Sequence, residues 1–437
     1  LKPGEKLPSK RQLGTHLQIS VNTVDGAYQM LAEEGYIESR PRSGFIVARM
    51  PQPIAPLRAV PPQPIEEKTP KRQDCRYDLR TSLVDPDAFP FATWAKLTKK
   101  VMMRGKSLLA PGDVQGERCL REALIRHLGE FRAVKATADQ IVIGAGMEYL
   151  LGLLVKLTGA QSAYALEDPG YVKNRRILEN NGVRYTLLGL DASGMRLDLL
   201  RKSGATIAYI TPTHQYPLGM TMPVGRRLEL IAWAEEKTGR YIIEDDYDSE
   251  FRYSGRPVPS LSGLTHSEKV VYIGTMSRSI APSVRIAYLV LPHPLLTEYR
   301  RRFGSYSCTV SVFEQNTLAE FISGGHLVRH LNRVRTLCHK RRDLLISLLE
   351  KNFGARLHIS GATVGLHLLL TLQDGPGEKL MRTRAADRGI RLTGLSEYAG
   401  SPATKIPRNT VVIGYAALKD AEIPKVVSLL AAAWAKS

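Results

Sequence analysis

Three short segments carry residue types that can hold a phosphate and pair with a ring nitrogen at strand ends. Gly144-Ala145-Gly146-Met147 lies between the apolar run Ile141–Ile143 and a helical pattern, where free backbone N–H groups and the helix dipole would hold a phosphate. Glu244-Asp245-Asp246-Tyr247-Asp248-Ser249-Glu250 follows the apolar run Tyr241–Ile243, and a carboxylate there can pair with a protonated ring nitrogen. Thr275, Ser277 and Arg285 supply hydroxyls and a cation for an anion. Each signal is weak alone, because glycine turns and acidic runs are ordinary loop features.

The elements that must position these groups alternate along the chain. Ile141–Ile143, Ala163–Leu166, Ile207–Ile210, Tyr241–Glu244, Val270–Ile273 and Ile286–Val290 read as strands, with Met147–Leu157 and Arg226–Lys237 as helices between them. That order predicts an α/β domain with a mostly parallel central sheet. A long basic helical stretch from about Glu314 to Leu349, then a few strands and a helix near Asp420–Lys436, reads as a small C-terminal α+β subdomain at 314–437. The domain it belongs to is expected to span 75–437.

Ahead of it, seven prolines between Met50 and Asp74 mark a semi-extended linker over 50–74. Residues 1–49 form a separate module. Ser9 can cap a helix ending near Leu17, and Ser20 one over Val21–Glu34, whose Val24, Ala27, Tyr28 and Leu31 share a face. Two short helices and a tight turn make a helix-turn-helix. Tyr36–Ser39 and Phe45–Ala48, flanking Arg40-Pro41-Arg42-Ser43-Gly44, add a β-hairpin wing.

At 437 residues the chain suits two or three domains, and no apolar run is long enough to span a bilayer. With no signal pattern, a cytoplasmic protein with no membrane partner is expected. The formal charge of +19 suggests a polyanionic partner. Yet residues 1–50 carry seven Lys/Arg against five Asp/Glu, so charge alone does not locate a DNA face. Cys75, Cys119, Cys308 and Cys338 lack the CxxC spacing or His pairing of a zinc site, and no metal is expected.

LKPGEKLPSKRQL at Leu1–Leu13 and the segment Asn22 to Val47 resemble the winged helix-turn-helix of GntR-type bacterial repressors. The resemblance implies that Asn22 and Thr23 enter the major groove of double-stranded DNA. Ser9, Lys10 and Arg11 would hold phosphates or base edges, with Arg40 and Arg42 on the wing. The family often has arginine where Val21 stands, so altered or weakened sequence preference is expected. It also implies a helix before LKPG that this sequence does not carry, which would expose core residues of the module.

EDPGY (Glu167–Tyr171), PTHQYPLGMTMP (Pro212–Pro223), IEDDYDSEFRY (Ile243–Tyr253) and GTMSRSIAPSVRIAYLVLP (Gly274–Pro292) extend the likeness. They resemble the aminotransferase-like domain of MocR-type regulators, a fold-type-I pyridoxal-phosphate-dependent-transferase-like domain fused to a GntR-type reader. This resemblance implies that Asp245 pairs with the pyridine nitrogen of pyridoxal 5'-phosphate and that Tyr247 donates to its phenolic oxygen. It implies too that Tyr171 lies near the ring, that Gly146, Thr275, Ser277 and Arg285 bind the phosphate, and that the chain is a homodimer.

Two positions depart from the family. Met147 stands where relatives commonly carry a hydroxyl residue, and Arg278 stands at the Schiff-base lysine. An imine needs a neutral amine, whereas arginine stays protonated with its lone pairs delocalised. Three accounts compete: a variant of a lysine protein, a site that binds pyridoxal phosphate non-covalently, or a fold kept for dimerisation and another ligand. The expected protein is a transcription regulator sensing a small effector (amino acid, amine or vitamer), with the covalent step removed. An aminotransferase with an attached DNA module is the alternative. Arg408 is a further candidate for a ligand carboxylate, and the arginines between Arg329 and Arg342 read as a solvated helix face.

Overall fold

The computed structural model describes residues 1–49, 75–253, 258–265, 267–402 and 404–435, so the expected linker at 50–74 lies outside the described residues. The chain divides into two units, Leu1–Arg72 and Gln73–Ser437.

In the first unit, Ser9 accepts a hydrogen bond from the Gln12 backbone N–H at 3.2 Å, and the Gln12 side chain accepts from the Ser9 N–H at 3.0 Å. This reciprocal cap satisfies two otherwise free donors and starts α1, Lys10–Leu17. Ser20 accepts from Thr23 N–H at 3.1 Å and starts α2, Val21–Glu33. Val24 and Tyr28, four residues apart, bury one face of α2 against Leu7 and Ile37. Strands β1, Ile37–Arg40, and β2, Gly44–Val47, pair antiparallel as the wing. The turn between them uses left-handed backbone at Arg42, φ 65°. The helix-turn-helix and wing stand where the spacing placed them.

The second unit is built on an eight-stranded mixed sheet. Its strands are β3 Ile141–Gly144, β4 Ala163–Asp168, β5 Arg184–Asp191, β6 Gly194–Met195, β7 Ile207–Ile210, β8 Tyr241–Asp246, β9 Val270–Thr275 and β10 Ala287–Val290. The order is β3-β10-β9-β8-β7-β4-β5-β6. Only β10, wedged between β9 and β3, and the short β6 run against the others. Strands β3, β7, β9 and β10 are buried throughout, which fits their continuous apolar runs. Two strands had no expected counterpart, β5 and the two-residue β6: in β5 exposed and part-buried positions dominate, and Thr186 and Gly189 break its apolar pattern.

Helices α3, Arg118–Arg132, α4, Met147–Thr158, and α5, Val172–Asn180, flank this sheet. The stretch expected as one helix from Glu314 to Leu349 is two, α6 Val312–Ser323 and α7 His326–Phe353. Gly324 and Gly325 separate them, and Gly325 takes φ 69°, a left-handed conformation that glycine adopts without strain. Leu318, Ala319 and Phe321 of α6 pack with Leu120 and Leu124 of α3, so α6 joins the large core rather than the small subdomain. The small subdomain packs the α7 residues Leu345 and Leu349 on a four-stranded antiparallel sheet. Its order is β11 Leu357–Ser360, β12 His367–Leu372, β14 Thr410–Gly414, β13 Thr393–Gly394. Tyr77 and Leu79, far upstream, complete that core. The basic face of α7 is not wholly solvated either: Arg341 is buried and pairs with buried Asp85 at 2.7 Å.

Candidate functional site

Strands β8 and β9 are parallel, so their carboxyl ends open on the same edge of the sheet, the usual location of ligand crevices in such folds. Asp245 and Tyr247 follow from the end of β8, and Thr275, Ser277 and Arg278 from the end of β9. The starts of α4 and α5 bring Met147 and Tyr171, and the turn before β10 brings Arg285. All eight line one cleft of about 180 Å³. Gly146, the ninth expected residue, sits beneath it. A Cβ there would meet Arg285 Nη2 at 2.3 Å, so glycine is what lets the guanidinium lie across the start of α4. Ser82, Glu148, Lys173, Asn174 and Thr211 also line the cleft and had no motif to announce them, and Tyr216, from the Pro212–Pro223 motif, had no expected role there. Arg408 does not: it lines a separate depression with Glu378 and Lys405.

Asp245 is buried, and the Tyr209 hydroxyl donates to its Oδ2 at 2.5 Å while Oδ1 has no partner among the described residues. Burial pushes its carboxyl up to about 7; the Tyr209 bond opposes that, and the charges of Asp246 and Asp248 add to it. An unpaired buried acceptor of this kind is costly, and a protonated ring nitrogen would satisfy it. Because Asp245 holds its proton more tightly folded than in an unfolded chain, at about 3.9, its stabilising protonation is complete below that value. It is lost as pH rises through about 7. Urea unfolding of the large unit should therefore show stability falling between pH 5 and 8, and Asp245→Asn should flatten that fall. A slope unchanged by the substitution would refute the assignment.

Behind Tyr247 stands a buried chain. His214 Nδ1 lies 2.9 Å from Asp248 Oδ2 and 2.9 Å from the Tyr247 oxygen. A carboxylate only accepts, so Nδ1 carries the hydrogen. Tyr247 then accepts from that shared N–H and keeps its own proton for a group in the cleft. His214, Asp248 and His367 also bring their ligating atoms within 4.8 Å of one another, a set spread over more than 150 positions that local spacing cannot reveal. His214 Nδ1 is taken by Asp248 and Tyr247 while its buried Nε2 has no partner among the described residues, and His367 Nε2 meets the Pro217 carbonyl at 3.0 Å.

Anion-binding groups gather at the start of α4. Arg285 donates to Glu148 Oε2 at 2.9 Å, and Lys173 donates to Glu148 Oε1 at 3.1 Å. Burial raises the Glu148 carboxyl, but bonds from Arg285, its own backbone N–H and Lys173 outweigh that and hold it at about 2. Glu148 thus seats a carboxylate where a phosphate would go. Lys173, an amine in the cleft, is kept protonated by neighbouring Tyr171 and Glu148, which raise its pKa and so deprive it of nucleophilic character. Glu148→Gln should strengthen binding of inorganic phosphate about 3- to 10-fold by removing a like charge. Calorimetric titration checks this, and unchanged affinity would place the anion elsewhere.

Arg278 lies in the same cleft and donates from Nη1 to the Thr81 carbonyl. Its positive charge bears on Tyr216, Tyr247 and His367; burial is the main reason that both tyrosine hydroxyls stay protonated and His367 stays neutral. The residues fit pyridoxal phosphate in three respects: the orphaned Asp245 oxygen, the proton kept by Tyr247, and the Thr275, Ser277 and Arg285 donors. They lack a neutral amine at 278.

In the first unit, Arg11, Asn22, Thr23, Arg40 and Arg42 are exposed. Ser9 is spent on the α1 cap. Lys10 pairs with Asp25 and lies 5.1 Å from the centre of the Phe45 ring, which ties it to the module.

Residues 1–47 match the bacterial regulatory proteins of the gntR family, and residues 83–423 match aminotransferase class I and II. Fold and cleft thus define a class: a DNA-binding helix-turn-helix joined to an aminotransferase-like domain of fold type I. The HTH-type transcriptional regulator YdeL of Bacillus subtilis is 37% identical, covering 99% of this chain and 93% of its own. The pyridoxine biosynthesis transcriptional regulator PdxR of Corynebacterium glutamicum is 33% identical over 98% and 92%. The probable rhizopine catabolism regulatory protein MocR of Rhizobium meliloti is 29% identical over 96% and 87%. Among solved structures, a multiple substrate aminotransferase from Thermococcus profundus superposes with a TM-score of 0.72 at 27% identity, covering 82% of this chain and 91% of its own. The chain belongs to the MocR-type transcription regulators of the GntR family. Among the described residues, no helix is long and apolar enough to cross a membrane.

Proposed function

We propose that this regulator senses a small ring-and-phosphate ligand, pyridoxal phosphate or a related vitamer or amine, held without a covalent bond. The observation that carries this is Arg278 in the cleft beside an Asp245 whose Oδ1 lacks a partner among the described residues. When bound, pyridoxal phosphate supplies a protonated ring nitrogen and an aldehyde. Asp245 would hold the first; Thr275, Ser277 and Arg285 would hold the phosphate, with Gly146 and Met147 at the helix start and Tyr171 near the ring. Arg278 would offer charge rather than a nucleophile. We further propose a cytoplasmic homodimer, with a reader over 1–49, a linker over 50–74 and an effector domain over 75–437, whose paired readers bind two half-sites.

Calorimetric titration with pyridoxal phosphate, followed by borohydride reduction and mass spectrometry, tests the reading. Saturable binding with no mass added after reduction supports it. No binding would leave the domain a scaffold, and amino-group transfer to a 2-oxo acid would make the chain an enzyme carrying a reader. On DNA, Arg11, Asn22 and Thr23 at the helix starts and Arg40 and Arg42 on the wing form the contact face, with Ser9 and Lys10 shaping the start of α1. Arg11→Ala should weaken duplex binding and lower the salt slope by about one counterion. Thr23→Ala should reduce preference between sequences instead. Binding unaltered by either change in a salt-series electrophoretic assay would refute this face.

A further inference from the structure

Asp245 and Asp246 are neighbours on β8, and successive strand residues point to opposite faces. Asp245 faces the cleft; Asp246 Oδ2 accepts from Arg132, Ser249 and Tyr272 on the other face. There a second cavity of about 160 Å³ opens between α3, the chain after β8, β9, β10 and α7. Its apolar lining comes from Leu128, Phe131, Val328 and Leu331 with Tyr288. Its charged lining includes Arg252, Glu250 and Arg335.

Arg252 is the unusual member. Its Nε and Nη1 are buried and have no hydrogen-bond partner among the described residues, whereas buried guanidinium donors are ordinarily satisfied by protein, water or a ligand. Its neighbours do not supply what is missing. Arg132 is fully engaged by Asp246, the Val258 carbonyl and Thr213. Burial pushes the Glu250 carboxyl up to about 8, with the Asp246 charge adding to it, so near neutrality it is a hydrogen-bond donor rather than a counter-ion. Burial also holds His127 down at about 4, hence neutral. The polar wall therefore offers donors and two cations with no carboxylate partner among the described residues, Arg252 and the Arg335 that donates to the Asn332 amide, a surface complementary to a carboxylate. An apolar cavity of about 150 Å³ takes one benzene ring, which sets the size of the rest of the ligand.

We infer that this cavity is a second small-molecule site, separate from the cleft, that binds a one-ring or similarly sized apolar monocarboxylate with its carboxylate on Arg252. Glu250 donates to the same carboxylate, and the ring lies between Phe131, Leu331 and Tyr288. An amine of the same size is disfavoured, since it would meet Arg252 unshielded.

Benzoate, benzamide and benzylamine titrated against the full chain by calorimetry test the chemistry. Benzoate should bind, with the amide and amine each about tenfold weaker or more, because a charged hydrogen bond is lost or reversed. Arg252→Met should weaken benzoate by a similar factor, Arg252→Lys should restore part of it, and Leu331→Trp should block it by filling the cavity. Circular dichroism screens each variant for folding. A crystal soaked with 4-bromobenzoate fixes the position: bromine anomalous density beside Phe131 and Arg252 supports the site. Density only in the cleft, no density, or benzoate binding indifferent to both Arg252→Met and Leu331→Trp would overturn it.

Discussion

If the cleft holds pyridoxal phosphate as proposed, Arg278→Lys should convert reversible binding into a covalent bond. After incubation and borohydride reduction, the variant retains one ring per chain by mass spectrometry, whereas the wild type and Arg278→Met retain none. The argument is chemical. A guanidinium remains protonated at any working pH and its lone pairs are delocalised, while a lysine amine attacks an aldehyde once a fraction is neutral. Position 278 directly follows Ser277 at the end of β9 and lines the cleft with Tyr247 and Asp245. The substitution therefore supplies the nucleophile, and it also gives up the guanidinium bond to the Thr81 carbonyl. An unmodified lysine variant would show that the cleft takes some other ligand, and a modified wild type would point to Lys173.

The second large effect is on stability. Arg132→Leu should destabilise the large unit by about 3–5 kcal/mol, the usual cost of breaking a buried pair from one side. Arg132 Nε lies 2.6 Å from Asp246 Oδ2, and both side chains are almost wholly buried. Its other nitrogens donate to the Val258 carbonyl at 2.6 Å and to Thr213 Oγ1 at 2.7 Å. One residue thus joins the end of α3 to β8 and to the loop after β7, and its loss strands the Asp246 charge. Urea midpoints measure the effect. The double variant Arg132→Leu/Asp246→Leu should recover part of the loss, since no lone charge remains. Equal stability of wild type and single variant would refute this role.

How much of this could be read from residues alone follows from where each signal lives. Asp245, Tyr247, Thr275, Ser277 and Arg285 sit in local motifs at strand ends, so spacing was enough to gather them. Tyr216, Tyr398 and His367 come from segments joined only by the fold. Tyr216 donates to Tyr398 at 3.0 Å across 182 positions, and no window of sequence contains both. Strand β5 was hidden because Thr186 and Gly189 break its short apolar stretch, most of which is only part-buried. The α6 and α7 helices read as one because a single pair of glycines interrupts an otherwise continuous pattern. Arg408 was misplaced for a related reason: nearness to a strand says nothing about which end of the sheet it serves.

The bond from Arg278 to the Thr81 carbonyl carries a thermodynamic obligation. Thr81 is buried and its hydroxyl also meets the Tyr216 hydroxyl at 2.7 Å. Any occupant that recruits the Arg278 guanidinium leaves that carbonyl to find another partner, at about 1–3 kcal/mol if none is found. Affinity in the cleft and order in the chain around Thr81 are then reciprocal quantities, each shifting the other by the same factor. Because Thr81 lies in a turn two residues after the core residue Leu79, the toll of occupancy falls where the chain enters the large unit.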